Sequence, residues 1–314
     1  MAVKVNRTYH LAVDKTRDIP KDAAYQEYRR KWNENPPNFV VNEYPLHIDI
    51  ETTNDCNLKC PMCPRTFMKG SVGYMDMGLY RKIIDEIGGK VYAIKLNWRG
   101  EPTMHPHLAE MIKYAKEKGI MEVLLNSNGT ILNEKMSRNL ILSGLDSVSF
   151  SFDSLDKAEY EKIRVGADYD RTIANIKEFI SIRNSLGMKK PWIRLQMVNI
   201  KESQEDIDRF RDYWGGMVEQ VSYLDYIKWV DKVAGKVDIK EGFVCAPLWQ
   251  RMVIAWDGKI TCVGDSYLEH PIGDANNDSI LSIWKGHVMS TMRELHKKGE
   301  YHKIDICRKC QMPC

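Results

Sequence analysis

The chain reads as an α/β protein: an open, partial (β/α)6 barrel followed by a small cysteine-rich C-terminal domain. Two observations predict this. Six apolar β-type runs alternate with five helical patterns between residues 46 and 224. Parallel strands need helical crossovers, and six repeats rather than eight leave a barrel open. Beyond that stretch the chain changes character and carries five of its eight cysteines. The expected division is an N-terminal extension over 1–43, the barrel over 44–230 and the tail over 231–314.

In the extension, "IPKDAAYQEYRRKW" (19–32) predicts a short helix with Pro20 near its start. "NENPPNF" (33–39) ends it, because tandem prolines exclude a helix. Strands are expected near 46–51, 91–98, 121–126, 145–152, 192–199 and 219–224. Helices are expected near 76–88, 106–118, 133–143, 170–187 and 203–215. In the tail, "RMVIAWDGKITCVG" (251–264) predicts a β-hairpin turned by Asp257-Gly258. "SILSIWKGHVMSTMRELHKKG" (279–299) predicts one amphipathic helix. Tyr169, Trp229 and Trp249 are expected in the core.

Composition narrows the function. A chain of 314 residues with 43% hydrophobic content builds one large core or two smaller ones. A net charge of +3 gives no footprint for nucleic acid. No apolar run approaches the roughly 18 residues of a membrane span. The N-terminus "MAVKVNRTYHLAVDKTRD" lacks the apolar core of a signal peptide. Eight cysteines in that setting predict a reducing, cytoplasmic compartment and metal use rather than disulfides. The extension is also short for a leader-binding domain, which disfavours a ribosomal peptide as substrate.

The most informative residues are Cys56, Cys60 and Cys63, spaced Cys-x-x-x-Cys-x-x-Cys inside "HIDIETTNDCNLKCPMCPRTF". Three thiolates ligate three corners of a [4Fe–4S] cube and leave the fourth iron open to a small molecule. Zinc is the alternative, but zinc sites pair a Cys-x-x-Cys with a second nearby pair, and no fourth ligand lies close in sequence. The loop directly follows the first barrel strand, and the carboxyl ends of parallel barrel strands are where chemistry sits.

On this motif the chain resembles the radical S-adenosylmethionine (SAM) enzymes. "NWRGEPTMHP" (97–106) resembles their Gly-Gly-Glu motif, with Arg99 in place of the first glycine and Gly100, Glu101 and Pro102 matching. "LLNSNGT" (124–130) and "SVSFSFDS" (147–154) resemble the family's third and fourth strands. The resemblance implies that the Gly100-Glu101 segment holds the SAM amino group through backbone. It also implies that Ser151 and Arg164, of "YEKIRVG", grip the SAM carboxylate, as paired Arg N–H donors suit.

Ser147, Ser149, Ser151 and Asp153 alternate with apolar residues, so period two puts the polar set on one face, toward the interior cleft. Arg194 and Gln196 share a face of the fifth barrel strand and are candidates to contact the ribose or the substrate. Asn126 is a further SAM-site candidate at the end of the third, beside Asn128-Gly129, which a plain turn also explains. His105 and His107 are read as ordinary loop histidines.

The tail cysteines Cys245, Cys262, Cys307 and Cys310 flank the hairpin and form a late Cys-x-x-Cys. This layout resembles the twitch half of the SPASM auxiliary-cluster domain. It implies one further [4Fe–4S] cluster and two per chain, with structural zinc as the alternative. Cys314 is left over. It is a spare, a replacement ligand for Cys307, or a catalytic hydrogen donor to a substrate radical.

The resemblance implies an enzyme: reductive cleavage of SAM to methionine and a 5′-deoxyadenosyl radical, then hydrogen abstraction. The expected reaction is dehydrogenation or epimerisation of a small polar substrate, a sugar or cyclitol derivative, with flavodoxin or ferredoxin as reductant. A SPASM-type maturase acting on a peptide or protein is the enzymatic alternative. An iron–sulfur electron carrier is the non-enzymatic one, and the Gly100-Glu101 motif separates it, because a carrier needs no SAM site.

Overall fold

The computed structural model describes residues 9–16, 22–200, 203–226, 243–308 and 310. The expected core residue Trp229 and the candidate Cys314 lie outside the described residues. Each apolar run foreseen in the barrel forms a strand. These are β2 (His47–Ile50), β3 (Ala93–Lys95), β4 (Glu122–Ser127), β5 (Ser147–Ser151), β6 (Trp192–Asn199) and β7 (Gln220–Asp225). An edge strand absent from the sequence reading, β1 (Tyr9–Asp14), precedes them and pairs antiparallel with β7.

The helices before and between the strands are α1 (Ala23–Glu34), α2 (Pro64–Phe67), α3 (Met77–Ile87), α4 (Leu108–Glu117), α5 (Glu134–Leu142), α6 (Lys157–Ile163), α7 (Tyr169–Ser185) and α8 (Gln204–Gly215). Their sequences explain them. α3 starts at Asp76, whose carboxylate accepts the Gly78 N–H at 2.7 Å, and buries Tyr80, Ile83, Ile84 and Ile87 along one stripe. α4 repeats the pattern with Leu108, Met111, Ile112 and Ala115. None of the described helices is long and apolar enough to cross a membrane.

The tail comprises α9 (Pro247–Gln250), β8 (Arg251–Ile254), β9 (Lys259–Thr261), β10 (Gly273–Asp274), α10 (Ile280–Lys285), α11 (His287–Lys297) and α12 (Asp305–Arg308). The expected hairpin is β8–β9, turned where Gly258 adopts φ +91°. The single helix expected over 279–299 is instead two, broken at Gly286. That residue is extended at ψ 169°, and a Cβ there would come within 2.6 Å of the Ser282 carbonyl.

The ten described strands join one sheet in the order β1-β7-β6-β5-β4-β3-β2-β8-β9-β10. β2 to β7 run parallel, so the barrel is partial and open. β8 lies parallel to β2, with His47 opposite Arg251, so the tail hairpin continues the barrel sheet. The tail also docks on α3, where the Glu86 carboxylate accepts the Ile280 and Leu281 N–H groups at 2.9 Å.

Helix α1 packs across the N-terminal ends of β2 and β3. Tyr28 stacks on Tyr92 at 5.2 Å, Trp32 meets His47 edge-on, and the Gln250 side chain donates to the Trp32 carbonyl at 2.7 Å. Just inside lies buried Asp49, ion-paired to Lys95 Nζ at 2.8 Å and Arg251 Nη1 at 3.6 Å. Burial pushes this carboxyl up, but the two cations outweigh it and hold Asp49 well below the usual carboxylate range. The opposite, C-terminal end of the strands carries the cysteine loop.

Candidate active site

The loop after β2 is tied at both ends before it presents its cysteines. Thr53 Oγ1 donates to the Gly73 carbonyl at 2.7 Å. Asn54 makes a two-way clasp, Nδ2 to the Ser71 carbonyl and Oδ1 from the Gly73 N–H, each at 2.9 Å. Within the loop the Cys63 N–H donates to the Cys60 carbonyl at 3.1 Å, and Thr66 Oγ1 donates to the same carbonyl at 2.8 Å.

Cys60 is buried, and Cys56 and Cys63 are half-buried. Burial pushes the Cys56 thiol up to about 12, opposed by the Leu58 N–H and reinforced by Glu101, Cys60 and Cys63. Burial also raises Cys60, opposed first by Arg164. The three thiols thus share one low-dielectric pocket, and each must lose its proton as it takes a metal.

Among the described residues no three His, Cys, Asp or Glu side chains converge on a single-ion site. A cubane holds its thiolates around a body of four irons and four sulfides, so its ligands stand wider apart than those of one zinc. In number and kind, three thiols from one loop match the ligands of three corners of such a cube.

Arg164 caps the end of α6 and reaches into this pocket. Its guanidinium is paired with fully buried Asp153: Nη2 to Oδ1 at 3.0 Å, and Nε to Oδ2. Nη1 points at Cys60 Sγ, 3.9 Å away. Asp153 Oδ1 also accepts the Val198 N–H at 2.9 Å, so the pair joins β5 to β6. Asp153, foreseen as lining the cleft, is spent on these contacts.

The Gly100-Glu101 segment lies directly against the cysteine loop. The Glu101 N–H donates to the Asp55 carbonyl at 2.7 Å. A Cβ on Gly100 would sit 2.3 Å from the Thr53 carbonyl and 2.4 Å from that of Asp55, so glycine is the residue that fits. The Glu101 carboxylate is buried and accepts four hydrogen bonds, from Thr103 N–H and Oγ1, Ser127 Oγ and Asn128 N–H, at 2.6–3.1 Å. It braces the end of β3 against the end of β4.

Two contributors had no role assigned from the sequence, although Asn57 directly follows Cys56 in the motif. Asn57, next to Cys56, donates to Thr130 Oγ1 at 2.8 Å and accepts from Asn128 Nδ2 at 3.0 Å, tying the cysteine loop to the end of β4. Glu51, 0% exposed, pairs with Arg99 through Nε at 2.7 Å and Nη2 at 2.6 Å. The Arg99 guanidinium covers the Trp98 ring at 4.1 Å, and the Trp256 N–H donates to Glu51 at 3.3 Å. The departure at position 99 was the signal for the first partner; nothing local in the sequence marked Glu51.

The sheet register sets Asn126 beside Ser149, and Ser149 beside Arg194. It sets Ser151 beside Gln196, and Gln196 beside Ser222. The strand pleat therefore places all of these on one face. Arg194 donates to Gln220 Oε1 through Nε at 2.9 Å. The Ser149 and Ser222 hydroxyls are buried without a partner among the described residues, an orphaned pair on a polar wall. His105 is buried and engages the Met75 carbonyl at 3.1 Å, while His107 is exposed. Trp249 is buried and Tyr169 half-buried.

In the tail, Cys245, Cys262, Cys307 and Cys310 are half-buried. Burial pushes the Cys262 thiol up to about 12; the Gly264 and Asp265 N–H groups oppose this, and the Cys310 charge adds to it. Gly264 cradles Cys310, since a Cβ there would lie 2.8 Å from its Sγ. The Cys310 N–H donates to the Cys307 carbonyl at 3.2 Å. His296 Nε2 lies 3.5 Å from Cys307 Sγ, and burial pushes that imidazole down to about 4. In the loop beyond Cys262, burial and then the Cys63 charge push the Tyr267 phenol up.

The model of the Radical SAM superfamily matches residues 50–213. The chain belongs to this superfamily. The model of the SPASM iron–sulfur cluster-binding domain matches 245–311, spanning the tail cysteines just described. The cofactors of this radical SAM protein are thus [4Fe–4S] clusters and SAM. It is 30% identical over 169 residues to a tungsten-containing aldehyde ferredoxin oxidoreductase cofactor-modifying protein of Pyrococcus furiosus, covering 53% of this chain and 47% of the relative. It is 30% identical over 181 residues to a probable GTP 3′,8-cyclase of Methanocaldococcus jannaschii, covering 56% and 58%. The chain therefore spans about half the length of these curated relatives. In fold it is similar to BtrN in complex with AdoMet and 2-DOIA (TM-score 0.59, 18% identity, 87% of this chain and 95% of that one). It is similar also to Streptococcus suis SuiB bound to the precursor peptide SuiA (0.66, 16%, 87% and 73%).

Proposed function

We propose that this radical SAM enzyme oxidises or epimerises a small polar substrate, a sugar or cyclitol derivative, on the inner wall of the barrel. The observation that carries this reading is the wall itself. Ser149, Arg194 and Ser222 offer hydroxyl and guanidinium groups on the face they share with the SAM candidates Asn126, Ser151 and Gln196, and the Ser149 and Ser222 hydroxyls lack partners among the described residues. A polyhydroxylated ligand supplies both donors and acceptors to such a wall. The fold shared with BtrN, solved with AdoMet and 2-DOIA, supports the same class.

Cys56, Cys60 and Cys63 would hold a [4Fe–4S] cluster, which together with SAM would supply the one-electron cleavage that generates a hydrogen-abstracting radical. A second cluster on Cys245, Cys262, Cys307 and Cys310 would supply an electron acceptor for oxidation. The chain's own residues hold and orient. Asp153 fixes Arg164, whose positive charge opposes the negative charge of three thiolates. Asn57 and Glu101 lock the cysteine loop to the ends of β3 and β4, and Gly100 lets the two loops meet. Gly100-Glu101, Ser151, Arg164, Gln196 and Asn126 line the place for SAM. The domain division at 43/44 and 230/231, a flavodoxin or ferredoxin reductant and a cytoplasmic setting complete the proposal.

The test is a screen for 5′-deoxyadenosine release from SAM across sugars, cyclitols and peptides. Stimulation by a sugar or cyclitol is expected; stimulation by peptides alone transfers the site to the maturase reading. The Cys314→Ser variant then separates the outcomes. Dehydrogenation predicts full activity with both clusters intact. Continued 5′-deoxyadenosine release without product would make Cys314 the hydrogen donor of an epimerase.

A further inference from the structure

His296 occupies an unusual place for an imidazole. On α11 the buried positions are Met289, Met292, Arg293 and His296, so the ring sits on the stripe that packs into the core. It is 2% exposed. Tyr301 stacks on it at 5.4 Å and 22°, Trp249 meets it edge-on at 6.4 Å, and Phe243 lies 6.1 Å away. Its Nδ1 has no partner among the described residues, while its Nε2 faces Cys307 Sγ at 3.5 Å.

The two tautomers are unequal in this box. A proton on Nδ1 would bury an unpaired donor and set the Nε2 lone pair against sulfur. A proton on Nε2 aims a donor at sulfur and leaves Nδ1 as an unpaired acceptor, the cheaper orphan. The second arrangement is the one the box stabilises, and the aromatic walls exclude the water that would weaken the contact.

We propose that His296 donates its Nε2–H to the Cys307 thiolate and raises the reduction potential of the auxiliary cluster. It acts as a positioning residue for the tail cluster rather than as a ligand. A hydrogen bond to a cluster sulfur favours the reduced state, which carries one more negative charge. The hydrogen bond thus makes the cluster a better acceptor for the electron that a substrate radical gives up on becoming the oxidised product. The acceptor role rests on the oxidative reading above; the hydrogen bond does not.

The experiment is an anaerobic redox titration of the full reconstituted chain with SAM present, followed by electron paramagnetic resonance. SAM perturbs the signal of the open cluster and so separates it from the auxiliary one. His296→Phe keeps the stack and removes the donor, and His296→Gln restores an N–H. Iron content should match the wild type in both. In His296→Phe the reduced-to-oxidised ratio of the auxiliary cluster at the wild-type midpoint should fall about tenfold, as expected for a hydrogen bond to a charged group. That is about 59 mV for a one-electron couple. His296→Gln should recover part of the shift. An unchanged potential with full iron content overturns the proposal. Loss of about four irons in both variants also overturns it, by making His296 a ligand. No substrate is needed, so a failed substrate screen leaves this result standing, and the reverse holds.

Discussion

Replacing Cys56, Cys60 and Cys63 together by alanine is expected to abolish 5′-deoxyadenosine formation from SAM under dithionite. The residual rate should equal the background without protein. Total iron should fall to about four per chain from about eight in the wild type, because the tail set keeps its own cube. The thiols share one pocket, with Arg164 3.9 Å from Cys60, so the triple substitution removes every donor of the motif at once. Anaerobic iron analysis and product chromatography check both halves. A variant that keeps all its iron would show that these cysteines hold none.

The second large effect is on stability. Arg99→Ala should cost about 3–5 kcal/mol, the cost of stranding one member of a buried ion pair. Glu51 is 0% exposed, and without the guanidinium its carboxylate keeps two weak 3.3 Å hydrogen bonds among the described residues, from the Arg99 and Trp256 N–H groups. Removing both charges in Glu51→Ala/Arg99→Ala should recover part of that loss, since no carboxylate is then left unpaired. The urea midpoints of the two variants measure the difference. Arg99 also precedes Gly100 and Glu101 directly, so SAM cleavage should fall in Arg99→Ala even where the protein remains folded; a displacement of about 1 Å can cost about a hundredfold. Equal stability of the single and double variants would show that the pair is not coupled.

Much of the architecture was legible because its signals are local. Each barrel strand is an apolar run that ends within a few residues of where periodicity places it, and Asp257-Gly258 turns the hairpin it announces. The Cys-x-x-x-Cys-x-x-Cys motif announced its chemistry because the spacing itself is the coordination requirement. What stayed hidden depends on distant partners. β1 pairs with β7 across some two hundred residues, Tyr9 opposite Leu224, and a short run near the chain's start gives no sign of that. The sequence supplied Arg99 but not Glu51, and Arg164 but not its pairing with Asp153, because each partner lies on another strand or its end loop. The break at Gly286 was missed because the helical pattern continues on both sides of it. His296 looked like one more residue of an amphipathic helix, and its contact with Cys307 comes from a turn that follows α11.

The central claim, that the open cysteine set binds SAM and cleaves it, is most directly tested on the intact, anaerobically reconstituted chain. Incubation with SAM and dithionite should yield 5′-deoxyadenosine and methionine in equal amounts. Full reconstitution without SAM binding or 5′-deoxyadenosine would contradict the account and leave an iron–sulfur electron carrier in its place.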